Sequence, residues 1–567
     1  MKDQKNLKDI ISYIVIILMV MIAIIKCLEV NKLNIDPKDI LSIGATLKVA
    51  SLLPTALAIF LAFMYKNVIL SLASGMLLGG LMVALINGNG FLGFFTTSLT
   101  GILDTVSDVD NAGIILLCLA VGGMIEIIRS SGGFIELAKK FTNKINTPRK
   151  ANLIGQLLGI IVFFDDYANA LIVGPVMQPI FDKLKLSREK LAYIVDSTAA
   201  PVTGIALISS WVAVEVGVIE EGLANANANM SAYNLFLQSI PFCFYCIFCL
   251  LFIFISSLTK KEFGPMYEAE YKARNSLDDN NKTNKNNENI QKGSMWVAIL
   301  PLLALFIYSL VQFIVVGKAN AIENGIITGN ETFSIKYLST IFGQADTIYI
   351  VFEATILGSI IAIILGVIKK LFTLKQAIGH FTKGCSQLLE TCLILVLAWT
   401  MSSFVSNIGA IEYSVNIISS NVAWYLIPLL IFVVCCLVSF AVGSYGCMFI
   451  ALPMAIPIAI RIIELNPNIT NNYLPLIIAC GLAGSIFGDH CSPITDCTIL
   501  SSEGSGCDNF KHVKTQLPYA LVTAIVSIVV GIIPTTFGLP VYLSFILGIL
   551  TFYIILKIFG KEPKENN

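Results

Sequence analysis

Residues 165–180 read DDYANALIVGPVMQPI, and residues 443–458 read GSYGCMFIALPMAIPI. Both stretches lie inside long apolar segments, and Tyr167, Pro175 and Pro179 register without gaps on Tyr445, Pro453 and Pro457. A second pair follows each copy. PVTGIALISS over 201–210 and PITDCTILSS over 493–502 repeat the proline, the threonine, an aliphatic pair and the Ser-Ser in the same places. The chain thus consists of two related halves, each with polar, proline-broken segments set in apolar sequence. Breaks at matching positions of two repeats are the sequence pointer to a secondary transporter's binding site.

Working outward, 56% of the 567 residues are hydrophobic and 13% charged. Apolar runs of about 20 residues, the length a helix needs to cross a bilayer, recur from end to end. A spanning backbone must satisfy its own hydrogen bonds, and these runs are too long and too uniformly apolar for barrel strands. The expected fold class is an all-α polytopic membrane protein with about 12 transmembrane helices, the lipid bilayer being its first partner. The first run, Ile10 to Leu28, follows lysines but has no small-residue cleavage site, and is read as a retained helix. With 37 basic and 37 acidic side chains the formal charge is zero, which points away from nucleic acid. The fourteen cysteines fall largely in apolar helices, where thiols act as small packing groups, so no disulfide framework is expected.

Lys/Arg-rich loops mark the cytoplasmic side of a membrane protein. Here they lie at Arg129 to Lys150, Lys183 to Lys190, Lys260 to Lys292 and Lys369 to Lys383, and more weakly at Lys511 to Lys514 and from Lys557. Loops near Asp104 to Asp110, Glu220 to Asn229, Glu323 to Glu331 and Glu412 to Asn421 are poor in basic residues and belong outside. Both termini are then cytoplasmic, in the cell membrane. Helices near 10–28, 45–63, 67–87 and 112–128 bring the chain back to the cytoplasm, and Ala151 to Phe181 begins and ends beside basic loops. That makes it a re-entrant hairpin. Its tip, Asp165 to Asn169, is about 14 residues from its start, or about 20 Å, near or past the midplane. The second copy, Val422 to Ile463, begins and ends beside acidic or neutral loops, so the two hairpins are oppositely oriented in an inverted repeat.

The resulting organisation is N-terminal scaffold helices over 1–150; a first transport half over 151–258, with the hairpin at 151–181 and a broken helix at 191–216; and a linker over 259–293. Second scaffold helices follow over 294–421. A second transport half covers 422–534, with the hairpin at 422–463 and a broken helix at 474–502, and a last helix and tail cover 535–567. The linker is charged and Asn-rich and is read as disordered. Residues 134–145 and 373–387 have the pattern of amphipathic interfacial helices.

Five carboxylates fall within these apolar segments: Asp165, Asp166, Asp196, Asp489 and Asp496. Placing an aspartate at the bilayer centre costs about 3 kcal/mol, so such residues usually face a cavity and mark ion or proton pathways. Each also admits a plainer reading as the N-cap of a helix created by the break. Asn169, Ser197, Thr198, Thr203, Ser492, Thr495 and Thr498 supply neutral oxygens, which suit a hard cation, or bond back to their own helix carbonyls. A carboxylate with such oxygens at a helix break is what a Na⁺ site needs, and burial lets a proton compete for the same group. Na⁺ and H⁺ are therefore the expected cargo, with no cofactor. His490, beside Asp489, is either a proton relay or a neutral group fixing the bend. His380 and His512 fall in cytoplasmic stretches and read as surface residues. His490, Cys491, Cys497 and Cys507 superficially suggest zinc, but without a CxxC no resident metal is expected. Glu126 is read as interfacial, Glu353 as a weaker functional candidate, and the tryptophans as belt or packing residues.

GDHCSPITDCTILSS over 488–502, FFDDYANALIVGP over 163–175 and DSTAAPVTGIALISSW over 196–211 closely resemble the distinctive segments of the NhaC family of Na⁺/H⁺ antiporters, a resemblance that runs from Leu53 to Pro534. It implies an ion-transporter-superfamily architecture in which a mobile domain holding both hairpins and both broken helices moves as an elevator, often in a homodimer. It also implies ion binding or protonation at Asp165, Asp166, Asn169, Asp196, Asp489 and Asp496. Proteins of this kind exchange Na⁺ for H⁺, exchange malate for lactate with Na⁺ and H⁺, or carry amino acids. An organic anion wants a fixed cation or free helix N-termini. No Lys or Arg falls in either hairpin tip or in 191–216 or 474–502, which favours Na⁺/H⁺ exchange over a small carboxylate or amino-acid carrier. A channel or receptor is a third class, and no nucleophile constellation or nucleotide fingerprint suggests an enzyme.

Overall fold

The computed structural model describes residues 2–65, 67–133, 135–136, 145–207, 209–275, 293–325, 327, 337, 341, 344–345, 347–466, 469, 472–493 and 495–564. Among the described residues the protein is helical, with one isolated bridge between Glu262 and Lys561 in place of any strand. Among the described residues, eleven helices are long and apolar enough to cross a membrane, or up to twelve with the bent pair Ala232–Phe242 and Phe244–Thr259. The multi-pass helical membrane fold read from the apolar runs is therefore present.

The apolar first run lies in a helix over Lys2–Lys32. Residues 374–387 form a helix that opens on a capping box: Thr373 accepts from the Gln376 backbone while the Gln376 side chain accepts from the Thr373 N–H, satisfying two orphan donors at once. Most of 134–145 and of the Asn-rich linker, 276–292, lies outside the described residues. Three loop expectations are corrected. Residues 93–107 form a helix that meets the next, Val109–Ser130, across Asp108 alone; Glu220 lies in a helix over Val212–Asn225; and 410–421 is helical. Helices of 12 to 15 residues with polar faces carry too little apolar sequence to stand out as spans. Part of the linker is also ordered: Gly264–Asn275 is a helix with Met266 and Glu270 buried, an amphipathic stretch masked in composition by its polar neighbours.

Two compact units emerge. The first comprises Met1–Ala112, Glu215–Ser239 and Glu390–Gly488. Its core packs Ala23, Cys27, Ile43, Leu57, Leu61, Met82 and Ile408, burying one face of helices whose other faces carry exposed Leu and Ile suited to lipid. The hairpin of the second repeat lies here, as Ile427–Val442 and Ser444–Leu465. The turn between its arms is Gly443 at φ +83°, a left-handed conformation that glycine adopts without steric cost.

The second unit comprises Gly113–Val214, Ile240–Leu389 and Asp489–Asn567. It holds the first-repeat hairpin as two arms, Pro148–Ile161 and Asp166–Lys183. The first broken helix runs as Arg188–Thr198, then a single turn, Ala200–Thr203. The second break follows Cys491, and Asp496–Ser505 and Asn509–Val526 come after it.

Candidate ion-binding site

The site grows from the first hairpin turn of the second unit. The Asp165 side chain accepts from the Ala168 N–H at 2.7 Å, capping the helix that Asp166 begins. That satisfies one of the orphan donors of the new N-terminus. Asp166 is thereby held in the first turn, 5% exposed, where the helix dipole favours a carboxylate. Asn169 lies one turn further on the same face and is fully buried. Its amide donates to the Gly159 carbonyl at 2.8 Å and the Thr198 carbonyl at 2.7 Å. It so ties together the C-terminal ends of two neighbouring helices, and its Oδ1 has no partner among the described residues.

The helix Asp496–Ser505 packs closely across Asp166–Lys183. A Cβ on Gly174 would stand 2.5 Å from the Gly504 carbonyl oxygen, and one on Gly504 2.4 Å from that of Ala170. Only glycine permits this spacing. The last carbonyls of the short helix accept from Gln178 at 2.7 Å and from Arg188 at 2.8 Å, closing its negative end with a cation. At its start, Thr495 and Thr498 both donate to the Asp489 carbonyl, at 2.9 and 2.7 Å, so hydroxyls take up backbone valence freed by the break.

These contacts bring Asp166, Asp489 and Cys497 together, with one ligand atom from each within 4.8 Å of the others and all three buried. Two carboxylates this close in a dry site repel strongly unless a cation or a proton sits with them. The donor set is of hard oxygens with one thiol, and carboxylate oxygens suit Na⁺ better than sulfur does.

The remaining aspartates go elsewhere. Asp196 is fully buried and accepts from His512 Nε2 at 3.0 Å and Gln516 Nε2 at 2.7 Å, with the Cys497 thiol and Ser501 hydroxyl at 3.6 and 3.5 Å from its other oxygen. His512 therefore is not a surface residue: the turn after Ser505 folds its helix back over the broken one. Asp496 is exposed, with Tyr167 OH 3.3 Å away. His490 has both ring nitrogens engaged, by Ser197 Oγ and Tyr245 OH at 2.7 Å each, and its carbonyl accepts from Gln516. Among the described residues its ring meets no carboxylate, and it braces the bend. Thr198 and Thr203 bond back to the Ile194 and Ala199 carbonyls. Ser492 is buried within the break.

Glu126, read as interfacial, is 2% exposed and held between Arg129 and Lys383 at 2.5 and 2.7 Å. Glu353 accepts from Tyr308 at 3.0 Å on an exposed face. His380 is half-buried against Ser130. Sequence reasoning missed His512, Gln516 and Tyr245, and also Glu215 of the first unit, fully buried with both carboxylate oxygens unpartnered among the described residues. A charged residue amid WVAVEVGV was the available signal for Glu215.

Comparison with known proteins follows the same line. Residues 202–534 match the Na⁺/H⁺ antiporter family. An uncharacterized protein of Haemophilus influenzae is 28% identical over 478 residues, 84% of this chain and 88% of that protein. The malate-2H⁺/Na⁺-lactate antiporter of Bacillus subtilis is 32% identical over 169 residues, 28% of this chain and 32% of its own length. Among solved structures, the Alcanivorax borkumensis YdaH transporter superposes with a TM-score of 0.54 at 13% identity, covering 80% of this chain and 90% of that one. Neisseria gonorrhoeae MtrF, described among a class of antimetabolite efflux pumps, gives the same TM-score and identity over 80% and 86%. At that identity these structures speak for the fold alone. The family match covers more than half of the chain, and the protein belongs to the Na⁺/H⁺ antiporter family of secondary transporters.

Proposed function

We propose that the protein exchanges Na⁺ for H⁺ across the cell membrane by alternating access, with Asp166 and Asp489 as the carboxylates that bind one or the other. The observation that carries this reading is the buried approach of these two side chains at a double helix break. A pair of facing carboxylates holds either a Na⁺ or protons, so occupancy by one ion excludes the other and couples the two fluxes. Asn169 Oδ1, on the Asp166 face, supplies a neutral oxygen. Asp196, already engaged by His512 and Gln516, positions the short helix instead of ligating. Any net charge moved per cycle couples to the membrane potential at about 2.3 kcal/mol per 100 mV.

A second reading, exchange of small carboxylates coupled to Na⁺ and H⁺, draws support from the similarity to the Bacillus subtilis malate/lactate antiporter. The deciding experiment is dissipation of a pH gradient in proteoliposomes on adding NaCl, with and without malate, lactate or amino acids. Proton movement driven by Na⁺ alone supports the first reading, and movement only with an organic solute replaces it with the second.

A further inference from the structure

Glu215, in the first unit, is a buried carboxyl that the aspartate site does not use. It lies in the first turn of the helix Val212–Asn225 and is 0% exposed. Both of its carboxylate oxygens are closed to solvent and have no hydrogen-bond partner among the described residues. Its neighbours along the helix, Val212, Val214, Val216, Val218 and Ile219, are buried and apolar.

The plain reading of an acidic residue in a first turn is a cap. Here that role is filled: Ser209 Oγ accepts from the Trp211 and Val212 N–H at 3.2 and 3.3 Å. Among the described residues no cation answers Glu215 either. Two helices pack on its own. One, Leu389–Asn407, approaches through Trp399 Nε1, which donates to the Gly217 carbonyl at 3.3 Å. The other, Ser444–Leu465, passes so close that a Cβ on Gly222 would stand 2.7 Å from Ile456 Cδ1. Apart from the thiols Cys392 and Cys447 and the phenol Tyr445, the titratable residues of the first are the exposed Glu390 and of the second Arg461 and Glu464, which pair with each other at 2.6 Å. On the Glu215 helix itself, Glu220 and Glu221 add only negative charge.

An ionised carboxylate placed there lacks every interaction that offsets lost hydration, and the dipole of one helix is too weak to replace them. Na⁺ fits no better, because a hard cation needs several oxygen ligands and the site is closed even to water. A proton needs neither space nor a second ligand, since it bonds to one of the group's own oxygens.

We propose that Glu215 is a proton-binding site of the first unit, separate from Asp166 and Asp489 and closed to Na⁺, that holds a proton in this conformation and gives it up in each transport cycle. An acid among valines is costlier than another valine unless its proton is used, which is why an ionisable group inside a membrane protein marks a proton route. The inference does not depend on which cargo the aspartate pair binds. It adds a proton to whatever that exchange moves.

The test compares the full-length wild type with Glu215→Gln, whose side chain has the shape of the neutral acid. Infrared difference spectra in nanodiscs at neutral pH should contain a protonated-carboxyl C=O band that shifts when the glutamate carboxyls are isotope-labelled and is lost in Glu215→Gln. In proteoliposomes the variant should move fewer protons per Na⁺, or per organic solute where that drives transport, while self-exchange of radiolabelled cargo, which needs no net proton movement, persists. If Glu215→Gln does not fold, Glu215→Met, apolar and of similar size, takes its place in both measurements. Absence of the band, an unchanged proton count, or loss of self-exchange together with net transport overturns the proposal. Protons moved only with an organic solute would remove the Na⁺/H⁺ reading and leave the band and the proton count to decide on Glu215.

Discussion

His512 Nε2 lies 3.0 Å from Asp196 Oδ2, with neither side chain exposed. The two are 316 positions apart, and their contact joins the first broken helix to the helix that follows the second. Breaking a buried pair from one side leaves the other group without its partner. His512→Ala should therefore lower stability by about 3 kcal/mol, read as apparent Tm in detergent. Adding Asp196→Asn should cost less than the sum of the two single changes; strict additivity would mean that the contact contributes nothing.

Asp166 and Asp489 face each other, whereas Asp496 is exposed beside Tyr167. Asp166→Asn and Asp489→Asn should each weaken Na⁺-driven proton movement in proteoliposomes by about 100-fold in apparent Na⁺ affinity, the scale of a lost contact of about 3 kcal/mol. Asp496→Asn should change it by less than about threefold. Equal losses at all three positions would remove the distinction.

Glu270 lies outside the membrane-spanning helices and titrates in a predictable direction. Burial, reinforced by the neighbouring Glu262 charge, raises its carboxyl above the ordinary value. The folded state then holds this proton more tightly than the unfolded one, so its contribution to stability falls as pH rises from about 4.3, the unfolded value, through the folded value. Above that it stays at the lower level. Glu270→Gln should flatten this part of the Tm profile, and an unchanged slope would show that the group does not titrate on unfolding.

Close backbone packing predicts opposite outcomes at two glycines. A Cβ on Gly484 would stand 2.7 Å from the Phe432 carbonyl oxygen, where nothing can move aside, while one on Gly379 meets nothing within 4 Å. Gly484→Ala should destabilise by about 1–3 kcal/mol. Gly379→Ala, within the helix Leu374–Gln387, should stabilise by up to about 1 kcal/mol. Unfolding of the two variants side by side checks both.

Much of this protein was legible in its sequence because the signals are local. Apolar length sets helices in a bilayer, and proline with polar residues inside such runs marks where helices break, so the register of Tyr167, Pro175 and Pro179 on Tyr445, Pro453 and Pro457 located both hairpins. The capping reading of Asp165 was likewise available from its place ahead of a new helix. The short polar-faced helices, such as 93–107, were not, since their burial comes from neighbours and not from their own composition.

The tertiary structure alone decided which aspartates meet. Five carboxylates in similar apolar settings look alike in the sequence, yet one caps a helix, two face each other, one is engaged by a histidine and a glutamine, and one is exposed. A carboxylate's role follows from the donors and charges within a few ångströms of it. Here those neighbours come from the far repeat, brought close by the glycine crossing of Gly174 and Gly504, which no local pattern encodes.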